Sequence, residues 1–175
     1  DYADELHKLR GRKGLTRRDA INQLKSPNYF GPMMVHCGDA DGYLGGIAHN
    51  YPDIVKPCLQ TIGPDPSSHR IVGLYMMTVN GQLMFIADAT INIYPDARTL
   101  AEIAIQTAKV ARRFGVSPKV AMLSFSNFGT SNELRTDRIE EAIAMARELD
   151  RGLVIDGPMQ ADTALVPDRQ NEFPF

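Results

Sequence analysis

Two short apolar runs, Val120 to Phe125 and Leu153 to Ile155, flank a stretch where Ile139, Ala142, Ile143, Ala146 and Leu149 recur at helical spacing. Strand, helix and strand in that order make the two strands parallel neighbours, because a crossover of helix length returns the chain to the same end of a sheet. This pattern assigns the chain to the α/β class. Thr136 is expected to cap the crossover helix, and Gly152 to end it. Upstream, Ile71 to Val79 and Leu83 to Ala87 surround Asn80-Gly81, a strong hairpin signal. Between hairpin and crossover, Leu100, Ile103, Ala104, Ala108, Ala111 and Phe114 form a helical stripe from Ala97 to Phe114. Asp96 suits its start, and Gly115 with Pro118 its end.

The first third is less regular. Tyr2 to Arg10 reads as a helix broken by Gly11 and Gly14. Thr16 and Asp19 form a capping signal for a helix from Arg17 to about Lys25, stopped by Ser26-Pro27-Asn28. Met33 to Cys37 is expected to be a buried strand running into the turn cluster Gly38-Asp39-Ala40-Asp41-Gly42. Pro52 suits the first turn of a helix reaching about Thr61. Gly63-Pro64-Asp65-Pro66-Ser67-Ser68 reads as a linker, which divides the chain into lobes at 1–64 and 65–175. A helix pattern that begins at once and an end on Phe173-Pro174-Phe175 read as an excerpt of a longer protein.

With 43% hydrophobic and 23% charged residues, the composition is that of a soluble globular protein. A net charge of −2 argues against bulk nucleic-acid binding. There is no apolar run of the roughly 20 residues a membrane span needs, and no signal-peptide core. Two cysteines, Cys37 and Cys58, stand outside any CxxC or Cys/His spacing, so a disulfide framework and structural zinc are not expected, and a reducing cytoplasm is.

Chemistry is expected beyond the carboxyl ends of parallel strands. Ser124-Phe125-Ser126-Asn127-Phe128-Gly129-Thr130-Ser131 occupies that place and leads toward a helix N-terminus. It reads as a phosphate cradle or as a polar capping loop. His49-Asn50-Tyr51, with Lys56 further along, offers donors and a cation to a phosphate or carboxylate, or a capping segment with a surface lysine. The basic cluster from Leu9 to Lys13, including Arg10, is a solvated face or meets a polyphosphate. Asp156-Gly157-Pro158-Met159-Gln160-Ala161-Asp162 lines the same cleft as the serine loop or caps a turn. An EF-hand is excluded, because Tyr43 and Asn50 stand where the third ligand and the final glutamate belong. His36 and His49 lack metal-ligand spacing, and Ser124 and Ser126 sit in no GxSxG elbow.

Several segments together resemble the phosphate acetyl/butyryltransferase, or phosphotransacetylase, family. Gly38-Asp39-Ala40-Asp41-Gly42, Gly46-Ile47-Ala48-His49 and Val55-Lys56-Pro57 are similar to its GDADG…GAxHS…VRPAL. Phe85-Ile86-Ala87-Asp88 with Asn92 is similar to FADxxxN, Lys119 to Ser126 to KVAMLSxS, and Asp156 to Asp162 to DGPLQxD. The resemblance implies a phosphotransacetylase-like sheet with flanking helices, akin to isocitrate and isopropylmalate dehydrogenases, in two lobes.

Asn28-Tyr29-Phe30-Gly31, His49-Asn50-Tyr51-Pro52 and Ser124 to Gly129 resemble the branch fused to bacterial NADP-dependent malic enzymes. Stand-alone acetyltransferases tend to read HST at His49-Asn50-Tyr51, arginine at Lys56, cysteine at Ala89 and SYSTxGS from Ser124 onward. The family's catalytic Asp–Ser–Arg group falls beyond this segment. The resemblance therefore implies a non-catalytic regulatory domain of a malic enzyme (the oxaloacetate-decarboxylating malate dehydrogenase). It implies acetyl-CoA or another acyl-CoA as effector, no cofactor in this segment, and NADP with a divalent metal in domains N-terminal to it. It further implies a dimer or higher homo-oligomer. The expected ligand-binding residues are Arg10, His49, Asn50, Tyr51, Lys56, Ser124, Ser126, Asn127 and Phe128. The alternatives are an active phosphate acetyl- or butyryltransferase, and a structural dimerisation module.

Overall fold

A computed structural model describes residues 1–66, 70–128 and 134–175. The chain divides into two compact units, Asp1–His69 and Arg70–Phe175. Ser67 and Ser68 of the expected linker, and Gly129, Thr130 and Ser131 of the serine loop, lie outside the described residues.

The first unit is helical. Helix α1, Tyr2–Arg10, is capped by Asp1, whose side chain accepts from the Ala3 amide. A single 3₁₀ turn, Gly11–Lys13, follows and ends at Gly14 in the left-handed region, φ 89°. Helix α2, Arg17–Gln23, begins with a full capping box between Thr16 and Asp19, as the sequence predicts. Helix α2 ends before Ser26 as expected, and helix α3, Pro27–Cys37, extends that expectation and corrects another. Ser26-Pro27-Asn28 starts a helix: the Ser26 side chain accepts from the Asn28 amide, and proline occupies the first turn. Met33 to Cys37 is therefore the end of that helix and not a strand. A five-residue apolar run carries no period of its own, and the cap upstream decides it. Gly38, at φ 80°, closes α3 and opens the expected turn cluster. Helix α4, Tyr51–Thr61, matches its predicted span.

Leu6 and Met33, both fully buried, form the centre of this unit with Ala3 and Ala20. Burying side chains of this size contributes roughly 1.5–3 kcal/mol each. Two polar contacts tie the turn cluster to the helices. The Tyr2 hydroxyl donates to Asp39 Oδ2 at 2.5 Å, which pushes its pKa up to about 12. The Tyr43 hydroxyl donates at 2.9 Å to Oδ1 of buried Asn28, and its ring lies where a Cβ on Gly31 would fall.

The second unit carries the strands. β1, Leu74–Val79, and β2, Gln82–Ala87, form an antiparallel hairpin with Val79 opposite Gln82. Its two-residue turn has Asn80 at φ 50° and Gly81 at φ 79°, both in the left-handed region that such turns require. Helix α5, Ala97–Arg113, is capped by the Asp96 side chain, which accepts from the Thr99 amide. β3, Lys119–Leu123, helix α6, Leu134–Leu149, and β4, Val154–Met159, build the expected unit with β3 and β4 parallel. Thr136 does not cap α6. It lies inside the helix and is buried. Two short helices follow, α7 Ala161–Leu165 and α8 Pro167–Gln170.

Ala97, Ala101, Ala104 and Ala108 share a core with Ala142 and Ala146, and with Ile143, Leu153 and Ile155. The alanines let α5 and α6 approach closely while the larger aliphatics fill the space over the sheet. This core holds β3 in place and so fixes the origin of the loop that follows it.

Candidate functional site

In the first unit, His49, Asn50 and Tyr51 lead into α4. The His49 amide donates to the Gly46 carbonyl at 3.1 Å, and the Asp53 amide to the Asn50 carbonyl at 3.0 Å. Asn50 occupies the N-cap position, but its side chain accepts no capping bond. Lys56 is exposed on α4, one turn before Gln60. Gln60 Oε1 accepts from the Tyr29 hydroxyl at 2.7 Å. Burial pushes the Tyr29 hydroxyl up, while the nearby charge of Arg10 pulls against it, and the net shift is upward. Tyr29 on α3 and Gln60 on α4 are thus joined, one turn from Lys56, and Tyr29 feels the charge of Arg10. Tyr29 and Gln60 were not among the expected site residues. Only the packing of α3 against α4 brings them together.

In the second unit, the residues after β3 are fastened to the end of β4. The Ser124 amide donates to the Met159 carbonyl at 2.8 Å, and the Phe128 amide to the Pro158 carbonyl at 2.7 Å. Asn127 and Gln160 exchange two bonds. The Gln160 amide donates to Asn127 Oδ1 at 2.7 Å, and Asn127 Nδ2 to Gln160 Oε1 at 3.2 Å. Gln160 Nε2 also donates to the Phe125 carbonyl at 2.7 Å. Ser126 is 8% exposed, and its hydroxyl is buried without a hydrogen-bond partner among the described residues. Phe128, at φ 41°, packs tilted against Phe173 and edge-on against Phe175, with ring centroids 5.1 and 5.3 Å away. It also lines a cavity of about 290 Å³ with Lys119, Asp156, Thr163 and Phe173.

A further knot shapes this unit. Asp88 Oδ1 accepts from the amides of Gly73, Thr90 and Ile91, and Oδ2 from Asn92. Burial alone would raise the Asp88 pKa. The bonds from Thr90, Asn92 and Ile91 outweigh it and hold the carboxyl below the usual carboxylate value. Among the described residues, no group of three His, Cys, Asp or Glu is placed to hold a metal, and no helix is long and apolar enough to cross a membrane.

Solved structures share this fold. EutD phosphotransacetylase from Staphylococcus aureus superposes with a TM-score of 0.80 at 35% identity, covering 98% of this chain and 53% of its own. A phosphotransacetylase from Streptococcus pyogenes gives 0.82 at 39% identity with the same coverage. A mixed α/β, phosphotransacetylase-like fold follows.

The phosphate acetyltransferase of Corynebacterium glutamicum is 38% identical over 167 residues, 95% of this chain and 51% of that protein. That of Bacillus subtilis is 41% identical over 157 residues, 89% of this chain and 49% of that protein. The chain spans about half the length of these two relatives. Their names overturn the expectation that it serves a malic enzyme: they are phosphate acetyltransferases, and nothing in them points to malate oxidation. The segments behind that expectation differ from the acetyltransferase pattern at a few positions only, whereas the identity extends over most of the chain. The family model for phosphate acetyl/butaryl transferase matches residues 1–174, and the chain belongs to that family.

Proposed function

We propose that this chain is the part of a phosphate acyltransferase that receives the anionic portions of its substrates. The enzyme would move an acetyl or related short acyl group between phosphate and the thiol of CoA. In one direction the CoA thiolate attacks the acyl phosphate carbonyl. The C–O bond to phosphate breaks, a thioester forms, and the thiol proton passes to a base or to water. The observation that carries this reading is identity of 38 and 41% to two phosphate acetyltransferases over nearly the whole chain.

The local chemistry supports it. Arg10 and Lys56 supply positive charge in the first unit, and His49 and Asn50 lead into the N-terminus of α4, whose dipole favours anions. In the second unit, the serine loop presents a hydroxyl with no bond yet made. Lys56 keeps the charge of an arginine without its bidentate fork. Tyr51 puts a large ring where a small hydroxyl residue would leave room. Both changes favour weaker phosphate binding over loss of the reaction.

The test is formation of acetyl-CoA from acetyl phosphate and CoA by the intact protein, followed at the thioester absorbance. Turnover supports the proposal. Saturable acetyl-CoA binding without turnover would replace it with a binding role.

A further inference from the structure

We propose that Gln160 is a positioning residue for the loop from Ser124 to Phe128, and that Asn127 belongs to the same clasp. The proposal rests on the acyltransferase reading for the identity of the ligand, but not for the clasp itself.

Gln160 stands directly after β4 and uses three groups on one loop. Its backbone amide and its side-chain oxygen engage the two ends of the Asn127 amide. Its side-chain nitrogen reaches the Phe125 carbonyl. Both polar atoms of the Asn127 side chain are thereby used within the protein. The pair fixes the orientation of the Asn127 amide and leaves it one lone pair and one N–H beyond the clasp.

The residue type fits this role. An amide presents an acceptor and a donor side by side in one plane, which matches a backbone N–H and an amide oxygen on the same partner. A threonine hydroxyl, which the acetyltransferase pattern tends to carry at position 127, offers one atom for both tasks. Each of the three bonds is solvent-exposed, so none alone contributes much. Their closure on one residue, next to the bonds from Ser124 and Phe128 to β4, removes the freedom of the loop to swing away from the sheet.

Ser126 lies between these anchors. Its hydroxyl is the buried polar side-chain atom of the loop that remains without a partner. Burying a hydroxyl unpaired is costly, and a ligand oxygen accepting from it would relieve that cost. The clasp therefore determines where that hydroxyl stands when phosphate or the acyl carbonyl arrives.

The experiment uses the intact protein as wild type, Gln160→Ala, Asn127→Ala and the double variant. Amide hydrogen exchange at Ser126, Asn127, Phe128 and Gln160 is measured without ligand, and steady-state rates are measured with acetyl-CoA and inorganic phosphate. Each single variant should raise exchange at Phe128 by about tenfold, with the double variant faster than either but well short of their product, because the two side chains share a bond. The KM for phosphate should rise by about tenfold while kcat stays within about twofold, the pattern of lost ground-state positioning. Unchanged exchange, or single effects that multiply in the double variant, would refute the clasp. Faster exchange with an unaltered KM would refute its positioning role. If wild type shows no turnover, the acyltransferase reading fails alone, and the exchange data still decide the clasp.

Discussion

Asn92 directs both its backbone amide and its side-chain amide at a single oxygen of Asp88, at 2.9 and 2.5 Å, and the same side-chain nitrogen donates to the Ile71 carbonyl at 3.0 Å. Through this pair the segment after β2 is tied to the segment before β1. Asp88→Asn replaces one acceptor oxygen with an NH2 group that faces donors. It should destabilise the protein by about 2–3 kcal/mol in urea denaturation. The folded Asp88 pKa is depressed. Its contribution is therefore present above the unfolded carboxylate pKa and is lost as pH falls through the folded value. The gap between wild type and Asp88→Asn should be full at pH 7 and should close on acidification. A gap independent of pH would contradict the ionised network.

Gly157 sits at φ 138°, and a Cβ placed there would lie 2.5 Å from the Met122 carbonyl oxygen. The β3–β4 register skips at this point, with Ala121 opposite Asp156 and Leu123 opposite Met159. Backbone opposes backbone, so no side chain can turn aside. Gly157→Ala should cost more than about 3 kcal/mol and should expose the Ala121 to Leu123 amides to exchange. Gly152→Ala is the control. Its Cβ would meet Asp150 Oδ1 at an ordinary 3.6 Å, and its thermal midpoint should stay within a few degrees of wild type.

How far the sequence discloses this structure depends on whether the signal is local. The capping box of Thr16 and Asp19, the Asn80-Gly81 turn and the Asp96 cap are local, and each appears where the sequence predicts it. The parallel β3–β4 pair is legible because one helix-length crossover permits little else. Met33 to Cys37 is misread because a short apolar run fits a buried strand and a buried helix equally, and Ser26 decides between them from seven residues away. Thr136 is misread because a threonine near a helix start also fits a buried position within its first turn. At the candidate site, the serine loop is legible as a loop, and Gln160 as a residue of the segment after β4. The reciprocal pairing of Asn127 and Gln160 spans 33 positions and follows from no spacing rule. The bond from Tyr29 to Gln60 likewise exists only once α3 and α4 pack.

The hairpin turn separates strain from crowding. A Cβ on Gly81 would meet nothing within 4 Å, so a substitution there has space but the wrong backbone. Gly81→Val should lose about 1–2 kcal/mol through φ alone. Asn80→Gly should be close to neutral, since asparagine already tolerates its φ of 50°. Equal, near-zero effects at both positions, measured by chemical denaturation, would mean that the turn adopts another geometry in solution.

Lys56 offers the most direct test of charge in the first unit. It is exposed on α4, one turn from the Gln60 that binds Tyr29 near Arg10. A cation in such a position gains little from the protein itself, because exposed charges are well hydrated and screened. It gains more from a polyphosphate, where charge and hydrogen bonding act together. Lys56→Ala should weaken acetyl-CoA binding by about tenfold in calorimetry and leave the melting temperature unchanged. Raising salt from low to physiological strength should weaken wild type more than Lys56→Ala, because the variant has one charge fewer to screen. Lys56→Arg should bind at least as tightly as wild type, since its planar fork can engage two phosphate oxygens at once. If Lys56→Ala binds acetyl-CoA as tightly as wild type at both salt concentrations, this face of α4 does not receive the polyphosphate, and the anion must be held by other groups.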